Sequence, residues 1–367
     1  MVSSATALPD DSHRAVRNWL IILALLVVAM VAVGGATRLT GSGLSITEWR
    51  PVTGAVPPLS AEAWASEFDK YRDTPQYRIL NQGMGLSDFK VLYAWEWGHR
   101  MLGRFIGLAF FLPLAWFWSR GALRGRLGLG LLALGLLGGL QATIGWIMVA
   151  SGLQPGMTAV APLKLALHLT TASLILAGLV WLAVGLSRRL GDPASARLRR
   201  TAYVLAGLVV LQIWLGGLVA GSKAGLVYNT WPDMDGMLVP PLAELFAVRP
   251  WIENFVDNTT LVQFNHRMTA YLVVFVAIFH AVDARDTALG RRATALAGLT
   301  LAQAALGVTT LLLAVPLWAG LTHQVLAVLV LATATAHARL SRGRAAIPVE
   351  AVRSTPFGFE ALSGRGA

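Results

Sequence analysis

The chain has 367 residues, of which 55% are hydrophobic and only 13% charged; an ordinary soluble protein carries about a quarter charged residues. With no cysteine present, disulfides, thiolate metal sites and dithiol–quinone exchange are excluded. The net charge of +11 would fit a nucleic-acid partner only if the basic residues formed a patch, and they do not.

In chain order, apolar runs of about 20 residues predict eight spans, near 17–36, 93–118, 127–150, 160–187, 201–221, 261–282, 293–315 and 318–338. The residues before the first span are polar, and that span is too long for a signal peptide and lacks a clear small-residue cleavage site, so it reads as a retained helix. Arg14 and Arg17 precede span 1. Arg120, Arg124 and Arg126 join spans 2 and 3; Arg188, Arg189, Arg197, Arg199 and Arg200 join spans 4 and 5; Arg285, Arg291 and Arg292 join spans 6 and 7. The tail carries Arg339, Arg342, Arg344, Arg353 and Arg365, whereas the short loops near 151–160 and 315–318 hold no Lys or Arg. This alternation is the positive-inside pattern, so both termini are expected in the cytoplasm and the long connections, near 37–92 and 222–260, outside. The basic excess reports topology and anionic membrane lipid, with no nucleic acid implied. Amphipathic stretches at Pro57–Tyr71 and Ser87–Tyr93 are expected to lie on the membrane surface as lids.

The chain repeats itself. At a constant offset of 182, the separation of Gly34 from Gly216, the residues Gly34, Gly35, Gly43, Leu44, Trp49, Gly54 and Pro58 meet Gly216, Gly217, Gly225, Leu226, Trp231, Gly236 and Pro240. His99-Arg100-Met101 then matches His266-Arg267-Met268, Gln141 with Gly145 matches Gln303 with Gly307, and His168 matches His323. Four spans per half is an even number, so the halves share one orientation. The expected fold is all-α: eight transmembrane helices as two four-helix bundles related by a pseudo-twofold. The division is a tail at 1–16, halves at 17–190 and 200–340, and a tail at 341–367.

His99, His168, His266 and His323 each enter a span from the outer side, roughly 8–12 Å below its start at 1.5 Å per residue. Intramembrane imidazoles are rare and usually functional. Two histidines on different helices of one bundle can ligate a planar macrocycle axially, so two such pairs make two bis-imidazole sites suited to haem iron. Arg100 and Arg267, directly after two of the histidines, can pair with carboxylates of the kind haem propionates present; Arg104, a turn beyond, is a weaker candidate. Glu96 lies three residues before His99 on the same face, and its counterpart Gln263 cannot ionise. An intramembrane carboxylate suggests proton handling or charge stabilisation. The first half therefore looks catalytic and the second a fixed redox cofactor site. His280 and His337 follow His266 and His323 at a spacing of fourteen residues, as in two-haem cytochrome b helices, but read more simply as interfacial polar residues.

These residues resemble the haem A synthase family, in its cysteine-free alphaproteobacterial and mitochondrial branch. The resemblance is carried by T-R-L-T-G-S-G-L-S-I-T-E-W-R-P-V-T-G-A-V-P-P, Y-R-I-L-N-Q-G-M-G-L-S-D-F-K, E-W-G-H-R-M-L-G-R, V-Q-F-N-H-R-M-T-A-Y and L-T-H-Q, and spans about 17–340. It implies a bacterial inner-membrane oxidoreductase of cytochrome oxidase biogenesis, converting the ring-carbon-8 methyl of haem O to a formyl group through an alcohol, with oxygen from water. It implies a resident haem b on His266 and His323, a haem O site lined by His99 and His168, and a catalytic Glu96. Association with haem O synthase and oxidase assembly factors, and a homo-oligomer, would accord with that function. Two rivals remain: a bis-histidine cytochrome b of pure electron transfer, which binds haem at both sites without altering it, and a transporter with parallel repeats, which leaves the histidines unexplained.

Overall fold

The computed structural model describes residues 10–123, 125–187, 191 and 193–343; Arg124, Arg188, Arg189, Arg344, Arg353, Arg365 and most of the two tails lie outside them. Helix α1 (Asp10–Leu39) leads into a long connection holding α2 (Ala61–Arg72) and α3 (Pro75–Leu80). Then follow α4 (Leu86–Ser119), α5 (Gly125–Gly152), α6 (Pro162–Gly185), α7 (Ala196–Ser222), a short α8 (Leu242–Leu245), α9 (Thr259–Ala284), α10 (Gly290–Leu312) and α11 (Leu317–Ser341). Among the described residues no strand forms, and eight helices (α1, α4–α7 and α9–α11) are long and apolar enough to cross a membrane. The chain is a multi-pass helical membrane protein.

The helix starts follow from local chemistry. The side chains of Ser60, Thr74, Ser195 and Asn258 each accept a hydrogen bond from a backbone N–H of the first turn that follows, and Pro162 takes the first position of α6, where no N–H is needed. Two expected boundaries move. Helix α1 begins at Asp10, inside the expected polar tail, and α4 begins at Leu86, so Ser87–Tyr93 is not a separate surface stretch but the first turns of a spanning helix. At α4 the cause is an aromatic core shared with the α1–α4 connection. Tyr71, Phe89 and Tyr93 are buried together with Ile46, and Trp64, Phe68 and Tyr77 pack around them. That core gives α2 and α3 a surface to fold on.

Helix α1 packs on α4, α6 and α11; α6 packs on α5, α7 and α11; α7 packs on α9 and α11; and α10 packs on α9 and α11. Val27 and Val31, Leu176 and Leu179, Leu205 and Val209, and Val328 and Leu331 share the apolar core where α1, α6, α7 and α11 meet. With lipid as apolar as leucine, such contacts hold through close packing, and the paired glycines supply it. A Cβ on Gly35 would lie 2.8 Å from Gln324 Oε1 of α11, and one on Gly217 would lie 2.8 Å from the Cα of Ala166 of α6. Gln324 also donates to the Val31 carbonyl at 2.9 Å.

Candidate functional site

The other glycine of each pair faces a histidine. A Cβ on Gly34 of α1 would lie 3.0 Å from His99 Nε2 of α4, and one on Gly216 of α7 would lie 3.1 Å from His266 Cε1 of α9. Gly145 of α5 and Gly307 of α10 repeat the arrangement, each placing that atom 2.8 Å from Cε1 of His168 on α6 and of His323 on α11. Every one of the four rings thus lies in a cradle that any side chain would fill.

All four stand toward one end of the helices. Gln76 bridges the Gly41 and Thr158 carbonyls, which places the α1–α4 and α5–α6 connections together. Asn229 bridges the Gly225 and Leu311 carbonyls and does the same for the second half. His168, His266 and His323 lie within about two turns of the helix starts at that end; His99 is deeper in α4 because α4 protrudes.

Three of the histidines share a further partner. Gln141, Gln212 and Gln303 donate through Nε2 to the backbone carbonyls of His168, His266 and His323, each at 3.0 Å. The same nitrogens lie 3.1–3.4 Å from ring nitrogens. The Oε1 atoms of all three glutamines, and His168 Nδ1, are buried without a partner. Sequence reading used Gln141 and Gln303 only as repeat markers and passed over Gln212. The signal was a glutamine four residues before a glycine, three times over.

Glu96 is 2% exposed and takes bonds at both oxygens: Ser45 Oγ and the Ile46 N–H each donate to Oε2 at 2.8 Å, and Arg100 donates to Oε1 at 2.6 Å. An acceptor-only carboxylate suits this set. Arg100 also donates to the Ile46 and Glu48 carbonyls, and Arg104 to the Arg50 and Pro51 carbonyls. The second half mirrors this latch with a neutral amide: Gln263 donates to the Ala224 and Tyr228 carbonyls, and Arg267 to Gln263, Tyr228 and Asp233. The two arginines, expected to pair with an external carboxylate, thus tie down the α1–α4 and α7–α9 connections, although Arg267 Nε is buried without a partner. Above the first half a cavity of about 310 Å³ is lined by Glu48, Arg50, Glu67, Lys70, Arg100 and Arg104, among others. The hydrogen bond that Lys70 donates to the Glu67 carboxylate holds its pKa above the ordinary lysine value.

His280 and His337, each about one turn from the end of its helix, are 0% and 2% exposed, and their Nε2 atoms are 2.7 Å apart, with Thr201 on His280 Nδ1. A direct imidazole–imidazole bond leaves no plane for a macrocycle, so the spacing shared with two-haem helices does not make a third site here. Near them Arg197 pairs with Asp283 between α7 and α9.

Among the described residues no group of three or more His, Asp or Glu side chains could hold a bare metal ion. Two imidazoles per half, each on a glycine and with orphaned acceptors beside three of them, fit a metal whose other ligands come from a planar macrocycle. In these contacts the donor set fits haem.

The description "cytochrome oxidase assembly protein" belongs to a family whose profile matches residues 17–335. A protein of Methylobacterium radiotolerans named heme A synthase is 72% identical over 97% of this chain and 97% of its own. Proteins of the same name from Azorhizobium caulinodans and Brucella anthropi are 54% and 48% identical, over 91% and 93% of this chain and 96% of each relative.

Proposed function

We infer the function from a plain premise: this chain belongs to the haem A synthase family. It is a membrane enzyme of haem A biosynthesis for cytochrome oxidase, and haem O is its substrate. The reaction proposed is oxidation of the haem O ring-carbon-8 methyl to an alcohol and then a formyl group, with oxygen from water and electrons and protons leaving in equal number. The division proposed is a first half, 17–190, that holds haem O between His99 and His168, and a second half, 200–340, that holds haem b between His266 and His323. Bound there, haem b supplies one-electron redox capacity through which electrons can leave. Two four-helix halves in one orientation, in a bacterial inner membrane with both termini cytoplasmic, complete the reading.

The observation that carries it is a difference in charge type between two corresponding latches. Both halves latch their outer connection through the residue three before a histidine and the arginine after it, yet one latch is Glu96 and the other Gln263. Gln263 holds its latch by donating to loop carbonyls, whereas Glu96 only accepts; we read that carboxylate as serving the reaction besides holding the loop. Glu96 stabilises positive charge developing at the reacting methyl, or takes its proton, while Ser45, Ile46 and Arg100 fix its position. The remaining N–H groups of Arg100 and Arg267 would meet haem propionates. The electron-transfer cytochrome is a poorer reading, because it gives Glu96 no task.

The test is Glu96→Gln, which keeps size and one acceptor oxygen, with Ser45→Ala as the control that weakens the latch but keeps the carboxylate. In Glu96→Gln haem b content should stay as in the parent while haem A formation falls at least about 100-fold, the lower range for a lost acid–base group. Undiminished haem A formation would sink the assignment.

A further inference from the structure

The four histidine cradles are alike in ligand and glycine but not in what stands one turn before the glycine. Gln141 precedes Gly145 on α5, Gln212 precedes Gly216 on α7, and Gln303 precedes Gly307 on α10. A separation of four residues puts both side chains on one helix face, so the glycine receives the ring and the glutamine reaches over it. In the fourth cradle Gly34 of α1 receives His99, and the residue at the same spacing is Met30, the repeat counterpart of Gln212. Its thioether end lies against Gly103, one turn past His99, where a Cβ would be 3.1 Å away. A thioether has no N–H to give and accepts hydrogen bonds only weakly.

The three glutamines share one unfinished feature. Each uses its amide nitrogen on the histidine backbone, and each leaves Oε1 buried with no partner. A single orphaned amide oxygen could be incidental packing; the same orphan in three repeat positions is built in. An imidazole that ligates a metal through one nitrogen carries N–H on the other and needs an acceptor there, which fixes its tautomer and ring orientation and strengthens it as a ligand. To present that acceptor the terminal amide must turn and give up its bond to the histidine carbonyl. His168 Nδ1 is itself buried and unpartnered, and Gln141 reaches the same ring at Nε2.

We propose that Gln141, Gln212 and Gln303 are positioning residues that lock the rings of His168, His266 and His323 as haem ligands, and that Met30 leaves His99 as the one unlocked ligand. This rests on the reading of the four histidines as haem ligands. In the second half both ligands are locked, so the macrocycle stays. In the first half one ligand is locked and one is not, so haem O can enter and its product can leave by breaking the bond to His99. The ligand residues are the same in both halves; retention and exchange are set one shell further out.

Full-length protein purified from cells that make haem O is mixed with excess apomyoglobin, and transfer of each haem is followed by chromatography, with ferric EPR on the same samples. Gln212→Leu should release haem b about tenfold faster or more and move its low-spin EPR signal, and Gln212→Glu, which restores an acceptor, should return both toward the parent. Met30→Gln should slow release of the first-half haem about tenfold or more. Unchanged transfer and EPR in Gln212→Leu, or unchanged transfer in Met30→Gln, would overturn the proposal. So would a Gln212→Leu defect that Gln212→Glu leaves uncorrected, since that marks a tie between helices and nothing more. His266→Ala separates the two levels. If it keeps haem b with the parent EPR signal, the ligand assignment itself fails; if it loses haem b while Gln212→Leu is silent, only the locking role fails.

Discussion

At the scale of single residues, the glycines under the histidine rings bear the most specific consequence. Replacing a helical glycine by alanine ordinarily stabilises the helix by about 1 kcal/mol. At Gly307 and Gly145 the new Cβ would stand 2.8 Å from an imidazole carbon, closer than such contacts allow, so the ring must turn away. Gly307→Ala is therefore expected to stay folded, melting no lower than the haem-stripped parent, yet lose most of its haem b, and Gly145→Ala to lose its first-half haem. Gly216→Ala, at 3.1 Å, should lose less. Haem content per chain and melting temperature on the same preparations decide it; normal haem content in Gly307→Ala would contradict the cradle. The histidines, Glu96 and the arginines could be read from sequence because intramembrane polar residues are few. The glutamines could not be given a role from sequence, since only the fold shows that each reaches across to the next helix and donates to a histidine carbonyl.

At the scale of elements, the protruding start of α4 organises the outer connection of the first half. Phe89 is fully buried, stacks on Tyr71, and meets Phe68 at a tilt and Tyr93 edge-on, so α2 and α3 are held by one aromatic cluster. Sequence periodicity showed that this connection was amphipathic but assigned Ser87–Tyr93 to a surface stretch. An amphipathic pattern does not say whether its apolar face meets lipid or other side chains. Phe89→Ala should cost the outer cap about 3–5 kcal/mol, the usual loss for a buried phenylalanine. Hydrogen exchange over residues 61–80 should then speed up while α9–α11 stay protected. Unchanged exchange there would show that the cap is held by something other than the cluster.

At the scale of the whole molecule, the duplication explains why so much was legible. Matching residues recur in the same order in both halves, and the structure gives matched residues matched partners: Gly34 and Gly216 under histidines, Gly35 and Gly217 against a neighbouring helix, Arg100 and Arg267 on loop carbonyls. What the repeat could not reveal is where the halves differ by contact. His280 and His337 shared a haem-like spacing, and only the 2.7 Å bond between them shows that the spacing is occupied by the histidines themselves. The account's central claim is that two equivalent bis-histidine sites are used unequally, one for a substrate and one for a resident cofactor. Haem extracted from the purified protein, made in cells that also make haem O, tests this most directly when parent and His266→Ala are compared by chromatography. The parent should yield haem b together with haem A or its alcohol precursor, and His266→Ala should lose haem b selectively. Haem b alone in the parent, filling both sites despite available haem O, would contradict it.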